Sequence, residues 1–289
     1  MADTTTSGVA AADTRAVRRP SPRFLGSELR LIFRRRRNQI GLLALAAVPV
    51  FIAVTVRTTA SNPGADAPDF FRSITDNGLF VALSALTIEL GLFLPLAVSV
   101  IAGDSVAGEA NVGTLRYLLT VPVARLRLLV VKYVAVVVFA FAATLTVTVT
   151  GMVVGLALFG GGTLTTLSGT QISFADGFAR VLLASAYIAL CLASLGAVGL
   201  FVSTLTEQPI AATIATLFVS ATSLILDAIP QVAWLHPYLL THHWTAFGGL
   251  LRDPVTWTDV APGLYVAAAY AVVFFLAAWA RFAGKDVTS

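Results

Sequence analysis

Residues 129–159 read LVVKYVAVVVFAFAATLTVTVTGMVVGLALF. The stretch is dominated by Val, Ala and Leu, and its one charged residue, Lys132, stands near the start. A helix needs about 20 apolar residues to cross the roughly 30 Å hydrocarbon core of a bilayer. In lipid every backbone polar group must be satisfied within its own segment, so continuous apolar runs of this length are helical. Strands of a membrane barrel read as short alternating segments instead. Comparable runs recur along the chain, and the spans fall at about 39–57, 79–102, 129–159, 179–204, 209–228 and 260–281. The fold expected is all-α, a polytopic membrane bundle of six transmembrane helices.

The whole chain points the same way. Of its 289 residues 57% are hydrophobic and 12% charged. Soluble domains carry about 25% charged residues, and half that fraction cannot cover a soluble surface of this size. The formal charge of +4 does not call for nucleic acid, because the basic residues gather at the edges of the apolar runs. They are topology signals. Cys191 is the single cysteine, which excludes an intramolecular disulfide and any cysteine-based zinc cluster. It lies in an apolar run and reads as a packing residue.

Residues 1–22 are rich in Thr, Ala, Ser, Pro and Arg and read as a disordered tail, with residues 23–289 as one transmembrane domain. No cleavable signal peptide is expected, since its apolar core would fall within the first 15–30 residues. In residues 23–37, Phe24, Leu25, Leu29, Ile32 and Phe33 recur at near-helical spacing, with Glu28, Arg30 and Arg34 to Arg37 elsewhere. That pattern predicts an amphipathic helix in the membrane interface, compatible with a simple basic flank of the first span.

Orientation follows from Lys and Arg placement. With both termini in the cytoplasm, fifteen of the nineteen basic residues lie on that side, leaving Arg57, Arg72, Arg180 and Arg252 outside. Between spans four and five lies a tight inner turn, with Pro209 suited to the first position of the next helix. The outer segment 229–259 carries Trp234, Tyr238, Trp244, Phe247 and Trp257, residue types that favour the headgroup level, so it lies on or dips into the outer leaflet.

The second inner loop is the most distinctive. Residues 101–133 read IAGDSVAGEANVGTLRYLLTVPVARLRLLVVKY. Gly113 precedes Thr114, which suits a helix cap. Leu115, Leu118 and Leu119 share one helical face. Pro122 then ends the helix. Such a short, partly apolar element beneath a membrane needs cover, from its own bundle or from a partner. The segment resembles the hallmark of the ABC-2 type exporter permeases. In that family an acidic residue and a Gly-Thr pair precede a short cytoplasmic helix, followed by a Leu-rich stretch, a Pro, a basic residue and a Lys entering the third span. The matching positions are Glu109, Gly113, Thr114, Leu115, Leu118, Leu119, Pro122, Arg125 and Lys132. The match covers roughly thirty residues; beyond it the likeness is architectural. Asn111-Val112 departs from relatives that are often more charged there.

The resemblance implies a coupling helix that docks in a cleft of a separate ATP-binding cassette ATPase, with Leu118 and Leu119 as docking knobs. Arg116, Arg125 and Arg127 fit rim charges or lipid-headgroup contacts equally well. It further implies a homodimer or heterodimer of permeases in a bacterial cell membrane, with ATP and Mg used by the partner. No GxxxxGK[ST] loop occurs, so the chain is expected to bind no ATP and no cofactor and to be no enzyme by itself.

Glu89, in the middle of span two, is the one carboxylate deep in a span. A mid-bilayer carboxylate is costly and is a functional candidate by default. It suits contact with a cationic substrate, or a structural tie to Thr87-like neighbours or another helix. Pro95 is placed to kink the same helix. Thr144, Thr146, Thr148 and Thr150 circle span three, where hydroxyls bond their own carbonyls, and Gly151 and Gly155 permit close helix contact. His236, His242 and His243 share the last outer loop, but adjacent histidines rarely both ligate one ion without further carboxylates or thiols, and no metal is expected. A proton- or ion-coupled secondary transporter using Glu89 is the alternative function. An intramembrane enzyme lacks any HExxH or G-x-S-x-G, and a non-transporting scaffold stays open. The mostly apolar spans with one buried acid lean towards an amphipathic or lipid-like, cationic substrate.

Overall fold

The computed structural model describes residues 22–60, 77–111, 113 and 125–284. The tail before Pro22 therefore lies outside the described residues, as do Thr114, Arg116 and the residues between them and Arg125.

The first helix, α1 (Pro22–Arg34), gives way to α2 (Arg36–Ala60) at Arg35. A helix end leaves its last carbonyls without intrahelical partners. Here Asn38 Nδ2 donates to the Ile32 carbonyl at 2.8 Å and Gln39 Nε2 to the Phe33 carbonyl at 3.0 Å, sealing the corner. The helix expected over 23–37 thus ends three residues earlier, at Arg34, and Arg36 and Arg37 open the next one. Phe24, Leu25, Glu28, Leu29, Ile32 and Phe33 form the half-buried face of α1, which packs on α2 and on α5 below.

The span drawn at 79–102 is two helices, α3 (Leu79–Leu90) and α4 (Phe93–Asn111). Pro95 has no N–H to donate, and its ring crowds the carbonyl four residues back, that of Gly91. The chain tightens there instead: Gly91 N–H bonds to Ile88 and Leu92 N–H to Glu89, each three residues back at 3.3 Å. The break changes the neighbours. Helix α3 lies mainly against α2 and α5, whereas α4 lies mainly against α6 and α7.

Helix α5 (Arg125–Phe159) has 35 residues. At 1.5 Å per residue it is about 50 Å long, well beyond the roughly 30 Å hydrocarbon thickness. Gly151 lies against Ala82, and Gly155 meets the backbone of Gly78, where a Cβ on either glycine would collide. The glycine pair thus serves a contact within the chain. The Thr144, Thr146 and Thr148 hydroxyls donate to carbonyls four residues back, as expected.

A short antiparallel hairpin, β1 (Leu164–Thr165) with β2 (Gln171–Ile172), precedes α6 (Phe174–Leu205). Ser173 caps α6 by accepting from Asp176 N–H at 3.2 Å. Helix α7 (Pro209–Asp227) starts at the expected proline, and α8 (Val260–Ala283) closes the bundle. Between them the chain makes 3-10 turns at Pro230–Val232, His236–Tyr238 and Ala246–Leu251. Leu240, Trp244, Phe247 and Leu250 of this segment are buried in the main core, whereas Trp234, Tyr238 and Trp257 are exposed. Among the described residues six helices are long and apolar enough to cross a membrane: α2, α4, α5, α6, α7 and α8. Helix α6 is the central post. It packs against α3, α4, α5, α7 and α8, and 78% of its most apolar stretch is buried, against 17–22% for α2, α7 and α8.

Candidate functional site

A cluster of ion pairs closes one end of this bundle. Lys132, in the second turn of α5, is only 4% exposed. Its Nζ donates to Glu109 Oε1 at 2.6 Å, in the last turn of α4, and to Glu28 Oε1 at 2.7 Å, on α1. A buried ammonium is strongly disfavoured unless paired, and here two carboxylates pair it. Five residues before Glu109 on the same helix, Asp104 accepts from Arg35 and from Arg37. Glu28, Ile32, Arg35, Asp104, Glu109 and Lys132 border a small cavity of about 60 Å³. Three helices, α1, α4 and α5, are therefore tied at one point by charge.

That point is the base of the loop singled out by its sequence. Gly113 takes φ +74°, and its N–H bonds back to the Ala110 carbonyl at 3.0 Å. A left-handed glycine just past a helix satisfies the orphan carbonyls there. So Gly113 ends α4, and α5 begins at Arg125. The Glu109–Lys132 pair clamps the two stems together. Of the other residues assigned to coupling, Thr114, Leu115, Leu118, Leu119 and Pro122 lie outside the described residues, and of Arg125 only the backbone is described. The partnership of Lys132 with Glu28, across a sequence separation of 104, was not legible beforehand. The available signal was a lone lysine inside an otherwise apolar run, which demands a counter-charge from somewhere.

Glu89 stands in the last turn of α3, at the break. It is fully buried, and neither carboxylate oxygen has a hydrogen-bond partner among the described residues. Thr87 gives its hydroxyl to the Leu83 carbonyl at 2.9 Å, so it is no tie for Glu89. Beside the break Ile88, Leu92 and Phe93 present a half-exposed apolar face.

At the other end of the bundle, loop backbones bond to one another. Gly78 N–H reaches Gly160 O at 3.1 Å and Leu167 N–H reaches Leu251 O at 3.0 Å. Arg180 donates to the Arg252 carbonyl at 2.7 Å and pairs with Asp253 at 3.4 Å. His242 Nδ1 lies 2.5 Å from Asp227 Oδ1, and His236 Nδ1 lies 3.9 Å from the same oxygen. His243 turns elsewhere: Tyr187 donates to its carbonyl at 2.7 Å, and burial, then the neighbouring His242, hold its imidazole below the usual histidine range.

No curated protein matches the chain. Residues 46–288, most of the chain, match the family described as Protein of unknown function (DUF2705), and the chain belongs to that family.

Proposed function

We propose that this chain is the membrane-spanning subunit of an ATP-driven exporter, forming the translocation path and taking its energy from a separate ATP-binding cassette ATPase. One observation carries the reading: the stems of the 112–124 loop are clamped by the Glu109–Lys132–Glu28 cluster to three helices at once. A push on that loop is delivered to α1, α4 and α5 together instead of being absorbed locally. That is what a coupling element requires, and the resemblance of residues 101–133 to the ABC-2 permeases points to the same loop. In this reading Leu118 and Leu119 dock on the ATPase, and ATP and Mg act there. Helix α1 lies in the interface of a bacterial cell membrane with both termini cytoplasmic, since the basic residues gather at that end. Two permeases form the dimeric path.

The second reading, a proton- or ion-coupled transporter, is favoured by Glu89 alone: a buried carboxylate at a discontinuity in a helix is a common plan in such proteins. Co-purification from native membranes in mild detergent separates the two. An ATP-binding subunit that accompanies the chain and is lost when Leu118 and Leu119 are both changed to Asp supports the exporter. No ATPase with either form turns the assignment to the second reading.

A further inference from the structure

We propose that Asp227, His236 and His242 form a binding site for one divalent cation of the zinc class. The site stands independently of the exporter reading. Three ligand-type atoms, one carboxylate oxygen and two imidazole nitrogens, lie within 4.8 Å of one another. They come from separate places: the last residue of α7, the second 3-10 turn, and the chain four residues beyond that turn.

The fold brings them together by a polar contact one turn down. Ser223 and Asp227 are four residues apart on α7 and so share a face. Ser223 Oγ accepts from Thr241 N–H at 3.1 Å and shares a 2.7 Å hydrogen bond with the Thr241 hydroxyl. Pinning Thr241 beside Ser223 sets the next residue, His242, beside Asp227. The position of His242 is thus fixed by contacts that do not depend on any ion.

The tautomer of His236 supplies the second indication. Its Nε2 lies 3.1 Å from the Ile229 carbonyl, which can only accept, so Nε2 carries the hydrogen. In the neutral ring Nδ1 then presents a lone pair, and it faces Asp227 Oδ1 at 3.9 Å. Both atoms can donate a lone pair, and the gap between them suits a shared cation. A backbone carbonyl holding the distal imidazole N–H is the usual outer shell of a metal-bound histidine. Asp227 is also the carboxylate that neighbouring histidines need before they serve as ligands.

Two imidazoles and one carboxylate suit zinc, cobalt, nickel or copper, whereas magnesium and calcium favour all-oxygen shells. Bonds of about 2.0–2.1 Å in a tetrahedral shell place ligand atoms about 3.3 Å apart. The pair at 3.9 Å must close, and the pair at 2.5 Å, a hydrogen bond without the ion, must release its proton to solvent and open, both by less than about 1 Å. The three side chains are only partly buried, which leaves them room to do so. Three protein ligands leave a fourth position for water or another donor. A bound ion would fasten the end of α7 to the 228–259 segment.

The test is zinc titration of the full chain, purified in detergent and washed with chelator, by calorimetry, with thermal unfolding recorded in parallel. The expected result is one zinc per chain and a higher Tm on loading. Asp227→Asn, which keeps the side-chain shape, and His242→Ala each weaken binding by about ten-fold or more, while His243→Ala leaves it unchanged. Asp227→Asn with the unfolding profile of the parent and unaltered zinc binding would overturn the site. So would loss of binding with His243→Ala, a preference for magnesium over zinc, or no zinc bound by the parent chain.

Discussion

Lys132 and Glu89 are both buried ionisable side chains, and the bundle treats them in opposite ways. Lys132 has two carboxylate partners within 2.7 Å, drawn from two other helices. Glu89 has no hydrogen-bond partner among the described residues. The first is a structural joint, because each of its members would be left uncompensated by loss of the others. The second makes no hydrogen bond among the described residues that would hold the fold.

Four measurements break or sharpen that contrast. Lys132→Met leaves Glu28 and Glu109 facing each other. Removing one partner of a buried pair costs about 3–5 kcal/mol, and the partial exposure of both carboxylates places this case near the lower figure. A marked fall in detergent Tm is expected, and a near-unchanged Tm would abolish the distinction. Helix α3, which carries Glu89, is held to α5 by close backbone contact instead of by charge. Gly155→Ala should therefore destabilise by about 1–3 kcal/mol, read from the same thermal unfolding, with Gly41→Ala, which meets open space, as the control. Glu28→Gln and Glu109→Gln should each cost less than Lys132→Met. Their double variant should depart from additivity by more than about 0.5 kcal/mol, because they share one ammonium. Glu89→Gln should have the smallest effect, within about 1 kcal/mol, while altering transport in reconstituted vesicles. A Tm loss as large as that of Lys132→Met would mean that Glu89 has a structural partner in the assembled protein.

Much of the fold is written locally. Uninterrupted Val, Ala and Leu runs specify spans because a bilayer leaves them no other conformation, and Pro209 marks the first turn of α7 in the only place its ring is harmless. Pro95 signals a disturbance in span two, but its extent depends on what packs on either side. The two halves take different neighbours, which no local pattern encodes. The same limit applies to the sites. Glu109 and Gly113 stand out within one short segment. The bridge that Lys132 makes from Glu109 to Glu28, and the meeting of Asp227 with His236 and His242, depend on the path of chain that tertiary packing alone decides. The 229–259 segment illustrates this too: its aromatic residues read uniformly as headgroup anchors, yet Trp244 and Phe247 are core residues while Trp234 and Trp257 are exposed.

The central place of α6 sets a timetable for biogenesis. Helices α3, α4 and α5 all pack against it, but it is made after them. A ribosome adding about 5–20 residues per second needs about 2–9 s to travel from Phe159 to Leu205. For those seconds the earlier spans sit in the membrane with their shared face unfilled. The Ser203 hydroxyl that will donate to the Gly103 carbonyl at 2.7 Å, and accept from Val106 and Ala107 N–H, has not yet been synthesised. A chain halted just after Phe159 is accordingly a ready substrate for membrane quality control, whereas one halted after Leu205 already owns its post.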